Sequence, residues 1–183
     1  MMKAYPLDKV FQLIEPGPVV LLATEHKGKK NVMTMSWHMM MEFTPPLLAC
    51  VVSDGDYSFK ALRKTKECVI AIPGADLIAK AVDIGNCSGQ AVDKFQTFKL
   101  TPVPAEKVGA PLVSECLFNL ECRVVNTTLA NKYCLFVLEV VKAWQNPARK
   151  EKRTVHAKGD GTFSVDGRTL NLKAKMVKFQ EMV

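Results

Sequence analysis

The sequence lacks the long apolar segments and the compositional bias that mark membrane, secreted and fibrous proteins. No apolar run approaches the roughly 18 residues that span a bilayer, and the amino terminus has no apolar signal core. Glycine and proline number only ten each in 183 residues, of which 48% are hydrophobic, and this excludes collagen-like and low-complexity classes. We therefore expect a globular, cytoplasmic protein with no membrane partner and a single domain over residues 1–183.

Common metal-binding and catalytic motifs are also missing. The six cysteines include no Cys-x-x-Cys pair, so we predict no metal site. Four of them lie in or beside apolar runs, which is typical of reduced, buried thiols. The absence of G-x-G-x-x-G, P-loop, H-E-x-x-H and G-x-S-x-G motifs argues against Rossmann dehydrogenases, nucleotidases, zinc proteases and α/β-hydrolases. The three scattered histidines favour surface or packing roles over catalytic ones.

Positive charge is in excess, since 25 Lys and Arg face 18 Asp and Glu and give a net charge of +7. The densest basic stretch, residues 149–153, contains a glutamate and no interleaved aromatic residue. We interpret it as a solvated loop and expect no nucleic-acid partner. A positive field would still attract a phosphorylated small molecule.

Hydrophobic patterning predicts an antiparallel β protein with a few short helices. Strands are predicted where β-branched and aliphatic runs end in polar turns, at 19–24, 31–37, 47–52, 68–72, 118–128, 133–144, 162–165 and 168–172. Helices are predicted at 7–14, 58–66, 76–84 and 92–98. Asp166-Gly167 predicts a type I′ turn, and Gly85-Asn86 a left-handed helix cap. Successive hairpins with helical insertions favour an antiparallel β-barrel with peripheral helices.

Three polar segments are candidates for binding a phosphate and a ring. Residues 31–37 place hydroxyl groups and an aromatic ring at a strand end, and residues 53–58 form a polar loop that leads into a helix. Residues 86–89 form a second small-residue loop, which Asp93-Lys94-Phe95 follows. Taken singly, each segment is also explained as an ordinary strand end or helix cap.

The order of these segments resembles the flavoredoxin and flavin-reductase-like family. The resemblance is carried by the run Asn-Val-Met-Thr-Met-Ser-Trp at 31–37, by Pro45-Pro46 before an apolar strand that ends at Ser53, and by Ser-Gly-x-x-x-Asp-Lys-Phe at 88–95. Segments at 110–112, 120–122 and 135–140 continue it, so that it covers roughly residues 5–172.

The resemblance implies an antiparallel Greek-key FMN-binding split β-barrel. It also implies a homodimer that holds FMN noncovalently near the subunit interface. In that family the cofactor carries the redox chemistry, with NAD(P)H as the electron source of a reductase. The alternative is a non-catalytic flavin-binding electron carrier or a ligand-sensing module of the same fold.

The resemblance also implies roles for individual residues. The ring and ribityl region would be lined by Asn31, Thr34, Met35, Ser36 and Trp37. The phosphate would meet the hydroxyls of Ser53 and Ser58 and the charge of Lys94, and one side of the pocket would be closed by Ser88 and Gly89. Cys50, beneath the proposed ring, is the candidate catalytic residue, with a buried structural thiol as the alternative. Trp37 fits ring stacking and core or dimer-interface packing equally well.

One position departs from the family pattern. Relatives often carry a histidine in the segment that corresponds to residues 131–136, where this chain has Tyr133. A histidine titrates near neutrality and a tyrosine ordinarily does not. The substitution bears on proton transfer or nicotinamide positioning more than on FMN binding.

Overall fold

Within residues 17–175 the fold has eleven strands and four α-helices. The computed structural model describes residues 17–175, so the helix predicted at 7–14 lies outside the described residues. The strands are β1 Val20–His26, β2 Lys29–Met35, β3 His38–Phe43, β4 Pro46–Val51, β5 Glu67–Ile72, β6 Pro102–Val103, β7 Leu112–Val113, β8 Phe118–Asn126, β9 Leu135–Gln145, β10 Val155–Ala157 and β11 Phe163–Val165. The helices are α1 Tyr57–Thr65, α2 Ile78–Gly85, α3 Lys94–Thr97 and α4 Ala130–Tyr133. Short 3₁₀ turns lie at Ala75–Leu77 and Lys173–Lys175.

The seven-stranded main sheet is rolled into a barrel that stays open along one seam. Its strand order is β2-β1-β5-β8-β9-β4-β3, and every pair is antiparallel. The two edge strands β2 and β3 are joined by only Ser36 and Trp37. Three Cα steps join Met35 to His38, a reach of at most about 11 Å, so the sheet curls until its two edges lie near each other. The chain passes from β4 to β5 across β8 and β9, and the predicted Greek-key split barrel is confirmed.

Alternating side chains along each strand build two separate cores. On β1, Val20 and Leu22 belong to one cluster, which includes Phe136, while Leu21 and Ala23 belong to the other, which includes Ile84 of α2. Successive strand residues point to opposite faces of the sheet. The first cluster therefore fills one face, and the second lies on the other face under α2 and α3. Burial on both faces makes β1 read as a continuous apolar run.

Helices α1, α2 and α3 pack beside β2 and form the sides of a cleft there. Helix α1 begins after Asp56, packs on β1 and β2, and ends at Lys66, whose left-handed conformation lets its N–H donate to the Leu62 carbonyl. Helices α2 and α3 pack on β2, and the Asp93 side chain caps α3 by accepting from the Gln96 N–H at 3.1 Å. No helix within residues 17–175 is long and apolar enough to cross a membrane.

Four local predictions were wrong, and one of them is the strand at 168–172, where the structure has no strand. Strand β3 was missed because His-Met-Met-Met-Glu-Phe has neither β-branched residues nor a period of two. Asp166-Gly167 forms no hairpin turn, since β11 pairs with β10 and the Asp166 carboxylate instead accepts from the Thr154 N–H at 2.7 Å. Asn86 ends α2 in a right-handed conformation, with φ −80°, and not in the predicted left-handed one.

Candidate functional site

A polar cleft of about 260 Å³ lies beside edge strand β2, and we call it the site cleft. Its walls are β2, the loop and first turn of α1, and the segment from the end of α2 to the start of α3. The lining residues are Asn31, Met33, Thr34, Gly55, Asp56, Tyr57, Ser58, Gly85, Asn86, Cys87, Ser88, Gly89 and Lys94. Three chain segments that are remote in sequence therefore converge on one small volume.

Asn31 is the most constrained polar group in the site cleft. Its side chain is buried, and its Nδ2 donates to the Ser58 hydroxyl at 2.8 Å. Its Oδ1 is buried with no hydrogen-bond partner among the described residues. A buried acceptor without a donor costs about 1–3 kcal/mol. Asn31 Oδ1 is therefore an acceptor for a donor that residues 17–175 do not supply.

Gly89 allows the second loop to approach Asn31 closely. A Cβ built on Gly89 would lie 2.0 Å from Asn31 Oδ1 and 2.9 Å from Tyr57 Cδ1. Only glycine fits such an approach without displacing both side chains. The loop is held in this position at Ser88, whose carbonyl accepts from the Ala91 N–H at 3.0 Å and whose hydroxyl accepts from the Gln90 N–H at 3.2 Å.

Lys94 places a buried positive charge at the site cleft. Its side chain lies in the first turn of α3, is 4% exposed, and donates to the Ile84 carbonyl at 2.9 Å. Burial lowers the pKa of this ammonium, while Cys87 and Asp56 raise it, and the net shift is downward. A desolvated ammonium that has only a carbonyl partner is strongly attractive to an anion.

Two further contacts fix the walls of the site cleft. The Thr34 hydroxyl donates to the Ala81 carbonyl at 2.5 Å and so ties β2 to α2. Ser53 orders the loop before α1, because its carbonyl accepts from the Asp56 N–H at 2.9 Å and its hydroxyl from the Gly55 N–H at 3.3 Å.

The structure brings together six of the residues predicted from sequence and leaves others outside. The six are Asn31, Thr34, Ser58, Ser88, Gly89 and Lys94. Met35 instead packs into the cluster that contains Phe136. Ser36 and Trp37 lie past the end of β2, where Trp37 is 59% exposed, and Ser53 supports the loop from outside the lining. A flavin-binding role for each of these residues stays a prediction.

The catalytic role suggested for Cys50 does not fit its position. Its side chain is 2% exposed and belongs to the cluster that contains Phe136. Burial, and secondarily Cys122, raises the pKa of the Cys50 thiol to about 12. A reactive thiol needs the thiolate and access to its partner, and Cys50 has neither, so it is a structural thiol.

Sequence analysis missed seven lining residues: Met33, Gly55, Asp56, Tyr57, Gly85, Asn86 and Cys87. Most of them lie inside or beside the polar segments predicted as binding segments. The sequence therefore indicated the correct segments, but not which of their residues line the cleft. Tyr57 in particular gives no sequence signal, because its place between β2 and the loop at Gly89 follows from tertiary packing.

Comparison with known proteins agrees with the fold. The family model described as flavin reductase like domain matches residues 14–162. The uncharacterized protein YddH of Escherichia coli is 32% identical over 177 residues, covering 88% of this chain and 93% of YddH. The fold is shared with flavoredoxin from Methanosarcina acetivorans, at a TM-score of 0.81 and 24% identity over 100% of both chains. It is also shared with an FMN-binding domain of a flavin reductases-like enzyme from Shewanella baltica, at a TM-score of 0.79 and 24% identity over 92% of this chain and 96% of that one. The chain belongs to the family defined by the flavin reductase like domain.

Proposed function

We propose that this chain binds FMN noncovalently, with its phosphate in the site cleft, and that it transfers electrons through the bound flavin. One observation carries the proposal: the buried Lys94 ammonium, the Ser58 hydroxyl and the unpartnered Asn31 carbonyl converge from separate elements on one cleft. Family membership and the printed descriptions of the flavoredoxin and FMN-binding neighbours support the choice of flavin.

The donor set of the site cleft fits a phosphate monoester. Lys94 supplies a full positive charge, and the hydroxyls of Ser58 and Ser88 line the same cleft. Helix α1 begins at Tyr57 and Ser58, so its first N–H groups add the positive end of the helix dipole. Charge-assisted hydrogen bonds of this kind are the strong ones in phosphate sites.

Asn31 fits the ribityl chain that joins phosphate and ring in FMN. Its Oδ1 is an acceptor without a donor among residues 17–175, and the ribityl hydroxyls are donors. One hydrogen bond from such a hydroxyl would remove the cost of leaving this oxygen buried and unpaired.

The flavin ring would extend along β2 toward Trp37, and a second copy of the chain would cover it. The surface from Trp37 into β3 is largely apolar and exposed to solvent. Its exposed apolar side chains are Trp37, Met39, Met40, Met41 and Phe43. An isoalloxazine ring requires an apolar slot, and an exposed apolar patch is typical of a protein interface. We therefore propose a homodimer with FMN near its interface.

Bound FMN supplies one- and two-electron redox chemistry, while the protein supplies binding, orientation and electrostatics. In this protein Lys94 and Ser58 would hold the phosphate, Asn31 would orient the ribityl chain toward the ring, and the β3 surface of a second copy would exclude water. Electrons come from NAD(P)H in the reductase form of the proposal. The electron-carrier form is favoured by Tyr133, which is 55% exposed at the end of α4 where relatives often carry histidine.

Anaerobic reduction of the reconstituted protein tests the proposal. We expect apoprotein to bind FMN at micromolar or lower concentration, to turn yellow, and to be bleached by dithionite. Bleaching by NADH or NADPH at the rate of turnover identifies the reductase, whereas bleaching only by dithionite or a protein donor identifies the carrier. Apoprotein with intact circular dichroism that binds no FMN contradicts the proposal.

A further inference from the structure

Of the six cysteines, all of which the structure describes, only Cys87 lines the site cleft. It is half-buried in the loop between α2 and α3, and its Sγ donates to the Ile84 carbonyl at 3.7 Å. Four of the other cysteines are buried in the two cores: Cys50, Cys68, Cys116 and Cys122. The remaining one, Cys134, is half-buried at the end of α4. Cys87 therefore combines partial exposure with a place in a cavity.

The Lys94 ammonium lies beside the Cys87 thiol. Both groups donate to the same acceptor, the Ile84 carbonyl, Lys94 at 2.9 Å and Cys87 at 3.7 Å. Burial lowers the pKa of Lys94, and the neighbouring Cys87 acts against that lowering. The reactive form of cysteine is the thiolate, which a nearby cation and partial exposure favour. Cys87 has both, whereas burial raises the pKa of the Cys50 and Cys116 thiols to about 12.

The site cleft also contains polar partners for an oxygen atom added to this sulfur. Asn31 Oδ1 is buried and has no hydrogen-bond partner within the described part of the chain. The loop that carries Cys87 lies against this oxygen, because a Cβ built on Gly89 would lie 2.0 Å from it. A hydroxyl on Cys87 Sγ would share one cavity of about 260 Å³ with the Asn31 carbonyl as acceptor and the Lys94 ammonium as donor.

We propose that Cys87 is a peroxide-sensitive modification site, and that its oxidation to a sulfenic acid weakens ligand binding in the site cleft. The sulfur attacks one oxygen of hydrogen peroxide. The S–O bond forms as the O–O bond breaks, so the sulfur loses two electrons and the peroxide is reduced. The departing hydroxide takes up the proton of the thiol and leaves as water. A dithiol reverses the step, because it reduces the sulfenic acid to the thiol and forms its own disulfide and water.

The oxidised side chain competes with a bound phosphate. Its oxygen accepts from the Lys94 ammonium and its hydroxyl donates to Asn31 Oδ1, and these are two of the groups that the proposed function assigns to FMN. This consequence rests on the proposed function, since FMN is the ligand that is displaced. The modification of Cys87 does not rest on it. Bound FMN in turn covers Cys87 and slows its oxidation.

Limited hydrogen peroxide treatment of the apoprotein tests the modification, with dimedone to trap sulfenic acids and peptide mass spectrometry to locate them. We expect Cys87 to be labelled at least about tenfold faster than Cys134. Cys134 is the matched control, because it is also half-buried but lies outside the cleft lining.

Titration with FMN before and after peroxide tests the consequence in the wild type, Cys87→Ser and Cys134→Ser. Peroxide should weaken FMN binding about tenfold in the wild type and in Cys134→Ser, because the phosphate loses a charged partner. A dithiol should restore the affinity. Treated Cys87→Ser should keep the affinity of untreated Cys87→Ser.

The two measurements separate this proposal from the proposed function. Labelling of Cys87 that is no faster than that of Cys134 would overturn the modification site. Unchanged FMN affinity after complete oxidation of Cys87, or an equal loss in treated Cys87→Ser, would overturn its effect on the site cleft. Untreated protein that binds no FMN refutes the proposed function, and the labelling ratio then still decides whether Cys87 is the peroxide-sensitive thiol.

Discussion

The two edges of the open sheet are built for different contacts. Strand β2 presents polar side chains, with Asn31 buried and Thr34 half-buried beneath α2 and α3. Strand β3 exposes five of its six side chains, four of them apolar. An edge strand must be covered or otherwise protected. The polar edge is covered by helices that leave a gap of about 260 Å³, and the apolar edge is the one that we propose a second copy of the chain covers.

The largest effect is expected from charging the apolar edge. In a Met39→Glu/Phe43→Glu variant we expect the dimer dissociation constant to rise on the order of 100-fold or more, because two carboxylates would be buried without partners in the proposed interface. Sedimentation velocity over a concentration series measures it.

The matched control is Val103→Glu, which alters an exposed apolar residue on β6, outside the main sheet. A wild-type protein that stays monomeric at high concentration contradicts the interpretation of β3, and so does a dimer that survives the Met39→Glu/Phe43→Glu changes.

Removing the buried cation of the polar edge is expected to have the next largest effect. Lys94→Gln should weaken FMN binding about 10- to 100-fold, because a hydrogen bond to a charged group contributes about 1.5–3 kcal/mol. Thermal stability should not fall, since burial disfavours this ammonium in the unliganded protein. Fluorescence titration with FMN measures the affinity. Lys80→Gln on α2, outside the cleft lining, is the control, and equal affinities in the two variants would remove Lys94 from the site.

Filling the gap between the loop and β2 is expected to have a smaller effect. Gly89→Ala places a methyl group against Asn31 Oδ1 and the Tyr57 ring, and such overpacking costs about 1–3 kcal/mol. We expect FMN affinity to fall about tenfold. Gly167→Ala, where an added Cβ meets nothing within 4 Å, should leave affinity unchanged. Normal FMN binding by Gly89→Ala would show that the cleft is not closed by this loop.

The smallest expected effect is a pH dependence. The pKa of Lys94 is lowered, chiefly by burial, so the ammonium loses its proton at a lower pH than an ordinary lysine does. The phosphate of FMN is already doubly charged above about pH 7, and its affinity should therefore fall as pH rises, at a pH below the ordinary lysine pKa of 10.5. Lys94→Arg keeps its charge and should flatten the profile. Parallel profiles for the two proteins would assign the pH dependence to another group.

Much of the fold could be predicted because its signals are local. The apolar runs of β1, β5 and β9 and the order of polar segments gave the antiparallel class and the family resemblance. Strand β3 was not predicted because its consecutive methionines do not alternate with polar residues. Its strand conformation follows from pairing with β4. The Asp166-Gly167 signal failed because the Asp166 carboxylate bonds Thr154 instead of stabilising a tight turn.

The sequence predicted which segments form the candidate site better than it predicted which of their residues line it. Asn31, Ser58 and Lys94 were identified from motifs that the structure brings together in one cleft. Met35, on β2 with Asn31, and Cys50, on β4, point into the core, and register of this kind depends on which face the whole sheet buries. The place of Tyr57 in the site cleft depends on its contact with the loop at Gly89, about 30 residues further along the chain, which no local pattern encodes.

The central claim is that the polar edge of the barrel holds a flavin by its phosphate. Equilibrium titration of the wild-type and Lys94→Gln apoproteins with both FMN and riboflavin, which lacks the phosphate, tests it most directly. The account predicts that the wild type prefers FMN by more than about tenfold and that Lys94→Gln loses most of this preference while riboflavin affinity stays the same. Equal affinity of the wild type for FMN and riboflavin, or an equal loss of both in Lys94→Gln, would contradict it.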